Sequence, residues 1–335
     1  MKKNNKKGKR EYRLFYLLIL LLLTTITLSV TTYAWFTASK LVRVDLLDVN
    51  VKSDGNVEIS SDGHVWKPEL KMEDIIQARN TYPTSVNQIP EMVEPVSTGG
   101  NITNGNLVMF YGLVTSNPQG DFILETKKLQ DEESNGKNSK AKYLAFDIFL
   151  RTNKETMLSL TPESQILYKG EGLNGIENSV RVAFINEGNI PSEGNISTIQ
   201  NSKTSDVNKV YIWEPNYNTH TEFGIKNAKE IYGINNIGSN RLNYDGVIAE
   251  IASDKNILIN KANKGNNPSY FAPVAIDIET TQNFTENVPV FKISNGITKL
   301  RIYMWIEGQD VDCEDNAAIG GVGLNIKFTS DNKTE

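Results

Sequence analysis

Five carboxylates stand within nine residues near the end of the chain: Glu307, Asp310, Asp312, Glu314 and Asp315, in the run Trp305-Ile-Glu-Gly-Gln-Asp-Val-Asp-Cys-Glu-Asp. Oxygen ligands at short, alternating spacing directly after a strand can wrap a hard cation such as calcium. The spacing is not that of an EF-hand loop. The competing expectation is a solvated acidic loop that caps the preceding strand, because charge clusters on loops usually face water. No cofactor is otherwise expected, and calcium at this loop is the one candidate.

Other reactive residue types are sparse. The chain holds two histidines, His64 and His220, and one cysteine, Cys313. A zinc site needs three or four good ligands, and no H-E-x-x-H helix supplies them. A Ser-His-Asp triad has no G-x-S-x-G elbow to carry its nucleophile. His64 follows a turn and His220 lies in a polar stretch, so both read as surface residues. Cys313 has no partner for an internal disulfide and reads as a small buried hydrophobe. Ser53-Asp-Gly and Ser61-Asp-Gly read as tight turns, since Asp-Gly supplies the backbone conformation that hairpins need. Trp66, Trp213, Trp305, Tyr211, Phe146 and Phe149 lie on or beside expected strands and read as core. The expected class is therefore non-enzymatic.

The elements that must position these residues are strands. Leu41–Val51 alternates apolar and polar residues with period two for much of its length. Further strands are expected at 107–115, 121–127, 142–151, 156–160, 180–186, 209–213, 246–251, 256–260, 273–279, 289–293, 298–307 and 321–329. Tyr143-Leu-Ala-Phe-Asp-Ile-Phe-Leu-Arg is the clearest, rich in the aromatic and branched residues that suit a pleated, buried surface. Residues 69–80 suit a short helix. Residues 81–106, 131–140, 186–208 and 214–245 read as long polar loops. There is no βαβ alternation, no phosphate-binding glycine loop and no repeat of fixed period. The expected fold is mainly β, a jelly-roll-like β-sandwich with long polar loops, preceded by an N-terminal hydrophobic signal or anchor helix.

That N-terminal segment sets the compartment. Lys2, Lys3, Lys6, Lys7, Lys9, Arg10 and Arg13 precede an uncharged run from Leu14 to Ser39. Basic, then apolar, then small and polar is the order of an export signal. Residues 1–13 carry seven bases and one acid, so a chain charge of −5 leaves −11 on the remainder. The basic head stays cytoplasmic by the positive-inside rule. The acidic body argues against nucleic acid as a partner, because phosphate binding needs clustered Lys and Arg. Residues 14–36 are long enough to span a hydrocarbon core of ~30 Å as a helix, so membrane contact is expected before cleavage or without it. Thr32-Tyr33-Ala34 approximates a small-x-small cleavage pattern, which places the cut between Ala34 and Trp35. The expected organisation is 1–34 signal peptide or membrane anchor, 35–52 an N-terminal strand suited to donation, and 53–335 a β-sandwich domain.

Thr31-Thr-Tyr-Ala-Trp-Phe-Thr37 resembles the end of the signal peptides cut by SipW-type signal peptidases of Gram-positive bacteria. Tyr143-Leu-Ala-Phe-Asp-Ile-Phe-Leu, Ser179-Val-Arg-Val-Ala-Phe-Ile, Arg301-Ile-Tyr-Met-Trp-Ile-Glu-Gly-Gln-Asp and Val322-Gly-Leu-Asn-Ile-Lys-Phe extend a looser resemblance to the TasA/camelysin group, exported β-sandwich proteins of biofilm matrix fibres. The resemblance implies a SipW-type peptidase as processing partner, the chain itself or other matrix subunits as assembly partners, and an extracellular or cell-surface location. It identifies no active residues. The function it implies is a cell-surface or matrix structural protein that assembles by β-strand donation. The alternative is a membrane-tethered binding module for a wall polymer or small ligand, with residues 14–36 retained.

Cleavage after Ala34 has a direct test. Ala34→Leu should block release, because the bulky side chain does not fit a small-residue pocket. Secretion of that variant at wild-type size would show the cut to lie elsewhere.

Overall fold

The computed structural model describes residues 16–17, 42–52, 57–130, 140–169, 175–235, 241–313 and 321–330. The chain divides into two compact units, Met1–Thr32 and Tyr33–Glu335. Of the first, Tyr16 and Leu17 are described; both are helical and exposed. Among the described residues no helix is long and apolar enough to cross a membrane. Ala34 and Trp35, the expected cleavage site, lie outside the described residues.

The second unit is mainly β, built on two large sheets. The first contains β1 (Val42–Lys52), β3 (Glu69–Lys71), β4 (Met92–Val93), β10 (Lys140–Ala141), β12 (Thr156–Leu160), β13 (Gln165–Lys169), β19 (Val288–Ile293) and β21 (Gly321–Ser330). Its order is β10-β4-β1-β21-β12-β19, with β13 also on β21 and β3 on β1. The second has the order β18-β15-β14-β20-β11-β2: β18 (Ile278–Thr280), β15 (Val210–Pro215), β14 (Val180–Ile190), β20 (Gly296–Ile306), β11 (Leu144–Thr152) and β2 (Val57–Ser60).

Period-two alternation packs the sheets together. Leu300, Ile302, Met304 and Ile306 of β20 join Leu144, Phe146, Ile148 and Leu150 of β11 and Val180, Val182 and Phe184 of β14. They meet Val322, Leu324, Ile326 and Phe328 of β21 and Leu158 and Leu160 of β12 in one core. In β1 the alternation changes phase at Leu46-Leu47. A one-residue bulge between Asp45 and Asp48 falls at that point in its parallel pairing with β21. An extra residue there returns the later residues to the earlier phase.

The expected sandwich is only part of the architecture. Every residue of β20 is buried, and β11 is buried except at Arg151. The second sheet is covered on both faces. Its outer face is roofed by further segments, some expected as strands (107–115, 121–127 and 246–251) and the others read from sequence as loops. They contain β5 (Val96–Ser97), β8 (Phe110–Ser116) and β9 (Phe122–Lys128) in one small sheet, the hairpin β6 (Ile102–Thr103) and β7 (Asn106–Leu107), and the pair β16 (Asp245–Val247) and β17 (Phe271–Pro273). The helices Ile196–Gln200 and Glu222–Tyr232 complete it. The roof buries Val96, Ile102, Leu107, Met109 and Tyr244 against Ala145, Ala183, Ile185, Tyr303 and Trp305. Polar composition hid the parts read as loops, because short pieces with few apolar residues carry no periodic signal. The expected strand at 256–260 is replaced by a 3-10 turn at Ile259–Lys261, and 273–279 divides between β17 and β18. The helix expected at 69–80 is Met72–Gln77 followed by a 3-10 turn at Ala78–Asn80.

Candidate functional site

The outer face of the second sheet is apolar except for a row of charges sealed beneath the roof. On β20, the residues that alternate with the core set are Lys299, Arg301, Tyr303 and Trp305. Asp147 on β11 and Arg181 and Glu187 on β14 share that face. Asp147, Arg181, Lys299 and Arg301 are each no more than 1% exposed. Two ionic knots result.

The first knot centres on Asp147. Register pairing sets it opposite Arg301. Arg301 donates from Nε to Asp147 Oδ1 at 2.8 Å and from Nη2 to Oδ2 at 3.0 Å. The Tyr82 hydroxyl lies 2.7 Å from Asp147 Oδ2, and the Asp147 amide donates to Asn87 Oδ1 at 3.0 Å. Lys299 Nζ stands 3.5 Å from Asp147 and donates to the carbonyls of Gln200 and Ser202. Burial alone would raise the Asp147 pKa, but the cations Arg301 and Lys299 outweigh it and hold the carboxyl at about 2. Burial lowers the Lys299 pKa, and the charge of Asp147 opposes that shift.

The roof completes this knot. Arg301 Nη1 donates to the Gly105 carbonyl at 3.1 Å and to Asn106 Oδ1 at 3.0 Å. Asn104-Gly105 forms the tip of the β6–β7 hairpin with positive φ at both residues, 48° and 76°. That is the tight-turn chemistry of Asn-Gly. A Cβ on Gly105 would lie 2.5 Å from Glu187 Oε1, so glycine also permits the close approach. A β-bulge between Asn186 and Gly188 contains Glu187. Its Oε1 lies 3.7 Å from Arg301, and its Oε2 accepts from the Thr204 amide at 2.7 Å.

The second knot takes in the acidic run. Glu307, Asp310 and Asp312 are 0%, 6% and 0% exposed, so the solvated-loop expectation is corrected for these three. Arg181 Nη2 lies 2.5 Å from both Glu214 Oε1 and Asp310 Oδ2. The charge facing Asp310 is therefore a guanidinium. Glu307 accepts from Trp305 Nε1 and from the Gln309 amide, both at 3.0 Å. Asp312 Oδ2 lies 2.9 Å from His220 Nδ1, and its Oδ1 accepts from the Thr221 amide and hydroxyl. Thr221 is also the N-cap of the helix Glu222–Tyr232, accepting from the Gly224 amide at 2.8 Å. A Cβ on Gly224 would lie 2.1 Å from Asp312 Oδ1, so the helix start and the acidic loop fit only with glycine there. His220 was expected at the surface, but its side chain is 7% exposed. His64 is exposed, and Cys313 lies in the main core.

Glu314 and Asp315 lie outside the described residues. Among the described residues no group of three or more His, Cys, Asp or Glu is placed to hold a metal ion. The carboxylates that are described receive protein donors, and the knots lie in the interior rather than in a cleft. Their chemistry is to fasten β11, β14, β20, the loop after β20 and the roof to one another. Sequence reasoning did not single out Arg181, Asp147, Lys299, Arg301 or Tyr82. A signal for four of them was present: a charge at an interior position of an otherwise apolar strand, which folding must pair or neutralise. Of the expected core aromatics, Phe146, Phe149, Trp213 and Trp305 are fully buried, while Trp66 and Tyr211 are half-buried. Trp66 carries the Arg151 guanidinium 4.3 Å from its ring centroid.

No protein-family model, no curated protein and no solved structure matches the chain.

Two stability predictions follow from the knots. Arg301→Met would leave Asp147 buried without its bidentate partner and should cost about 3–5 kcal/mol, read as a lower urea midpoint. A midpoint unchanged from wild type would mean that Asp147 is not held by this arginine. The second concerns pH. Burial pushes the Glu307 carboxyl up to about 7, against hydrogen bonds from Ser97 and Trp305. Because its folded pKa lies above the unfolded 4.5, its contribution is full below pH 4.5 and is lost as pH rises to about 7. Asp147, held at about 2, contributes above pH 3.8 and loses that as pH falls to 2. Thermal stability should therefore peak near pH 4 and decline toward neutrality. Glu307→Gln should flatten the decline above the peak, and a decline of the same slope in that variant would assign it to other groups.

Proposed function

We propose that the chain is a non-enzymatic, exported structural protein of the cell surface or biofilm matrix, related to the TasA/camelysin group. Its subunits join by exchanging β1. The observation that carries this reading is the pairing of β1. It runs parallel to β21 with eight residue pairs in register, although the two stand at opposite ends of the body. Parallel neighbours cannot be joined by a tight turn, so no short connection ties β1 to its principal partner. On its other side, among the described residues, β1 pairs with the short antiparallel strands β3 and β4. The slot between β21 and those strands is the same in every copy, which makes exchange of β1 between copies a low-cost route to assembly. The basic-then-apolar head supports export, and the Thr-Tyr-Ala-Trp-Phe run supports processing by a SipW-type peptidase. A jelly-roll order for the two large sheets belongs to this reading.

The reading predicts that a chain beginning at Trp35 forms polymers, while one beginning at Ser53 does not. Excess peptide of residues 41–51 should bind the shorter chain and raise its melting temperature, because a ligand that binds only the folded state stabilises it. Sedimentation and electron microscopy of the two chains give the answer. If both stayed monomeric over a wide range of concentration and pH, exchange of β1 would be excluded as the mechanism.

A further inference from the structure

Strand β8 leaves an edge open. Its first two residues pair with β5, and its whole length pairs with β9. Asn117 donates from its amide to the Asp121 carbonyl at the hairpin end, and Leu129 donates to the Met109 carbonyl at the other. Both bonds are in phase with Tyr111, Leu113 and Thr115, so these odd-numbered residues hydrogen-bond to β9. The N–H and C=O groups of Gly112, Val114 and Ser116 point the other way. Among the described residues no strand pairs with them there.

Among the described residues this edge is also unguarded. Natural sheets blunt their edges with charge, proline or a covering segment. β19 carries Pro289 and Lys292. The far side of β9 is occupied through Leu124 and Thr126, whose amides donate to Ile257 and Ile251. β18 has three residues, and its Glu279 pairs with Arg241. By contrast, Gly112-Leu113-Val114-Thr115-Ser116 has no charge and no proline. Leu113, Thr115 and Ser116 are exposed, with Leu113 at 38%.

The segment complements itself. Antiparallel pairing with a second β8, two-fold about Val114, sets Val114 opposite its counterpart and Gly112 opposite Ser116. Every outward N–H then meets an outward C=O, giving about six backbone hydrogen bonds, two for each hydrogen-bonded pair. Leu113 falls opposite Thr115, and no like charges face each other. In a body with net charge −11, a charge-free strand is where two copies approach with least repulsion. We infer that the open edge of β8 is a self-association surface, on which a second copy of this chain adds its own β8 to form a continuous sheet across a two-fold axis.

This contact is independent of β1 exchange. An isologous pair closes as a dimer, whereas exchange around the β1 slot propagates open chains, so each can fail without the other. The test uses the full chain in detergent micelles. Val114→Cys should cross-link to a dimer on mild oxidation, because the Cα separation of about 5.5 Å across a hydrogen-bonded antiparallel pair falls within disulfide range. The native Cys313 is buried and should not compete. Gln119→Cys, at the exposed hairpin tip, should not cross-link efficiently. Val114→Pro removes an outward N–H, a change edge strands tolerate, together with a half-buried side chain packed on the cluster of Phe110 and Leu124, and should keep wild-type circular dichroism with a modestly lower melting temperature. It should weaken association by about tenfold or more, corresponding to about 1.4 kcal/mol. Equal cross-linking at both positions would overturn the inference. So would wild-type association of a folded Val114→Pro chain.

Discussion

Burying Asp147 and Arg301 on a sheet covered on both faces is the constraint that organises this molecule. Removing either charge from water costs several kcal/mol, and mutual attraction offsets this only if the remaining lone pairs and protons are also satisfied. The sheet itself provides the bidentate contact. The roof supplies most of the rest. The Gly105 carbonyl and Asn106 accept from Arg301, the Tyr82 hydroxyl donates to the Asp147 carboxylate, and Asn87 accepts from the Asp147 amide. The roof is thus selected for where its polar atoms stand as well as for its apolar contacts. That accounts for a covering layer in which turns and two-residue strands stand beside the longer β8 and β9.

The same logic explains the acidic run. Arg181 faces Glu214 and Asp310, and one guanidinium cannot balance every carboxylate nearby. Burial raises the pKa values of Glu187, Glu214, Glu307 and Asp312. Burial around Arg181 and Glu187 therefore disfavours the charged form of these carboxyls. A calcium-loop reading and a solvated-loop reading both assumed that clustered acids are presented to solvent. What the sequence does not display is that the strand before the run enters a sheet roofed on its outer face, which carries Glu307, Asp310 and Asp312 into the interior with it.

Much of the scaffold was legible because buried strands repeat at period two. Expected strands 156–160, 289–293 and 321–329 agree with β12, β19 and β21 to within a residue at each end. The turn reading of Ser61-Asp62-Gly63 also holds, since Asp62 accepts from the His64 and Val65 amides and Gly63 has φ of 79°. The parts of the roof read as loops were illegible for the converse reason. The helix Glu222–Tyr232 lies in an Asn- and Gly-rich stretch, and its start is fixed by Thr221 together with Asp312, ninety-one residues away in sequence. Contacts so distant leave no local pattern. The ionic knots fall between these cases: single charges inside Leu-Ala-Phe-Asp-Ile-Phe-Leu, Val-Arg-Val-Ala-Phe and Leu-Arg-Ile-Tyr-Met mark buried partners but do not say which meets which.

On the proposed reading, the two sheets divide the molecule between permanence and exchange. β20, β11 and β14 are locked on both faces by the core and by ion pairs, and releasing any of them would strand a buried charge. β1 lies in the other sheet, at the beginning of the body, and is described through backbone pairing with β21, β3 and β4. The open edge of β8 belongs to a third, smaller sheet of the roof. Both candidate contacts with another chain therefore rest on main-chain hydrogen bonds outside the ion-paired sheet. A strand can be lent or added there without breaking an ionic knot. In such a structure the buried charges oppose partial unfolding of the ion-paired sheet, and the proposed exchange of β1 would break none of them.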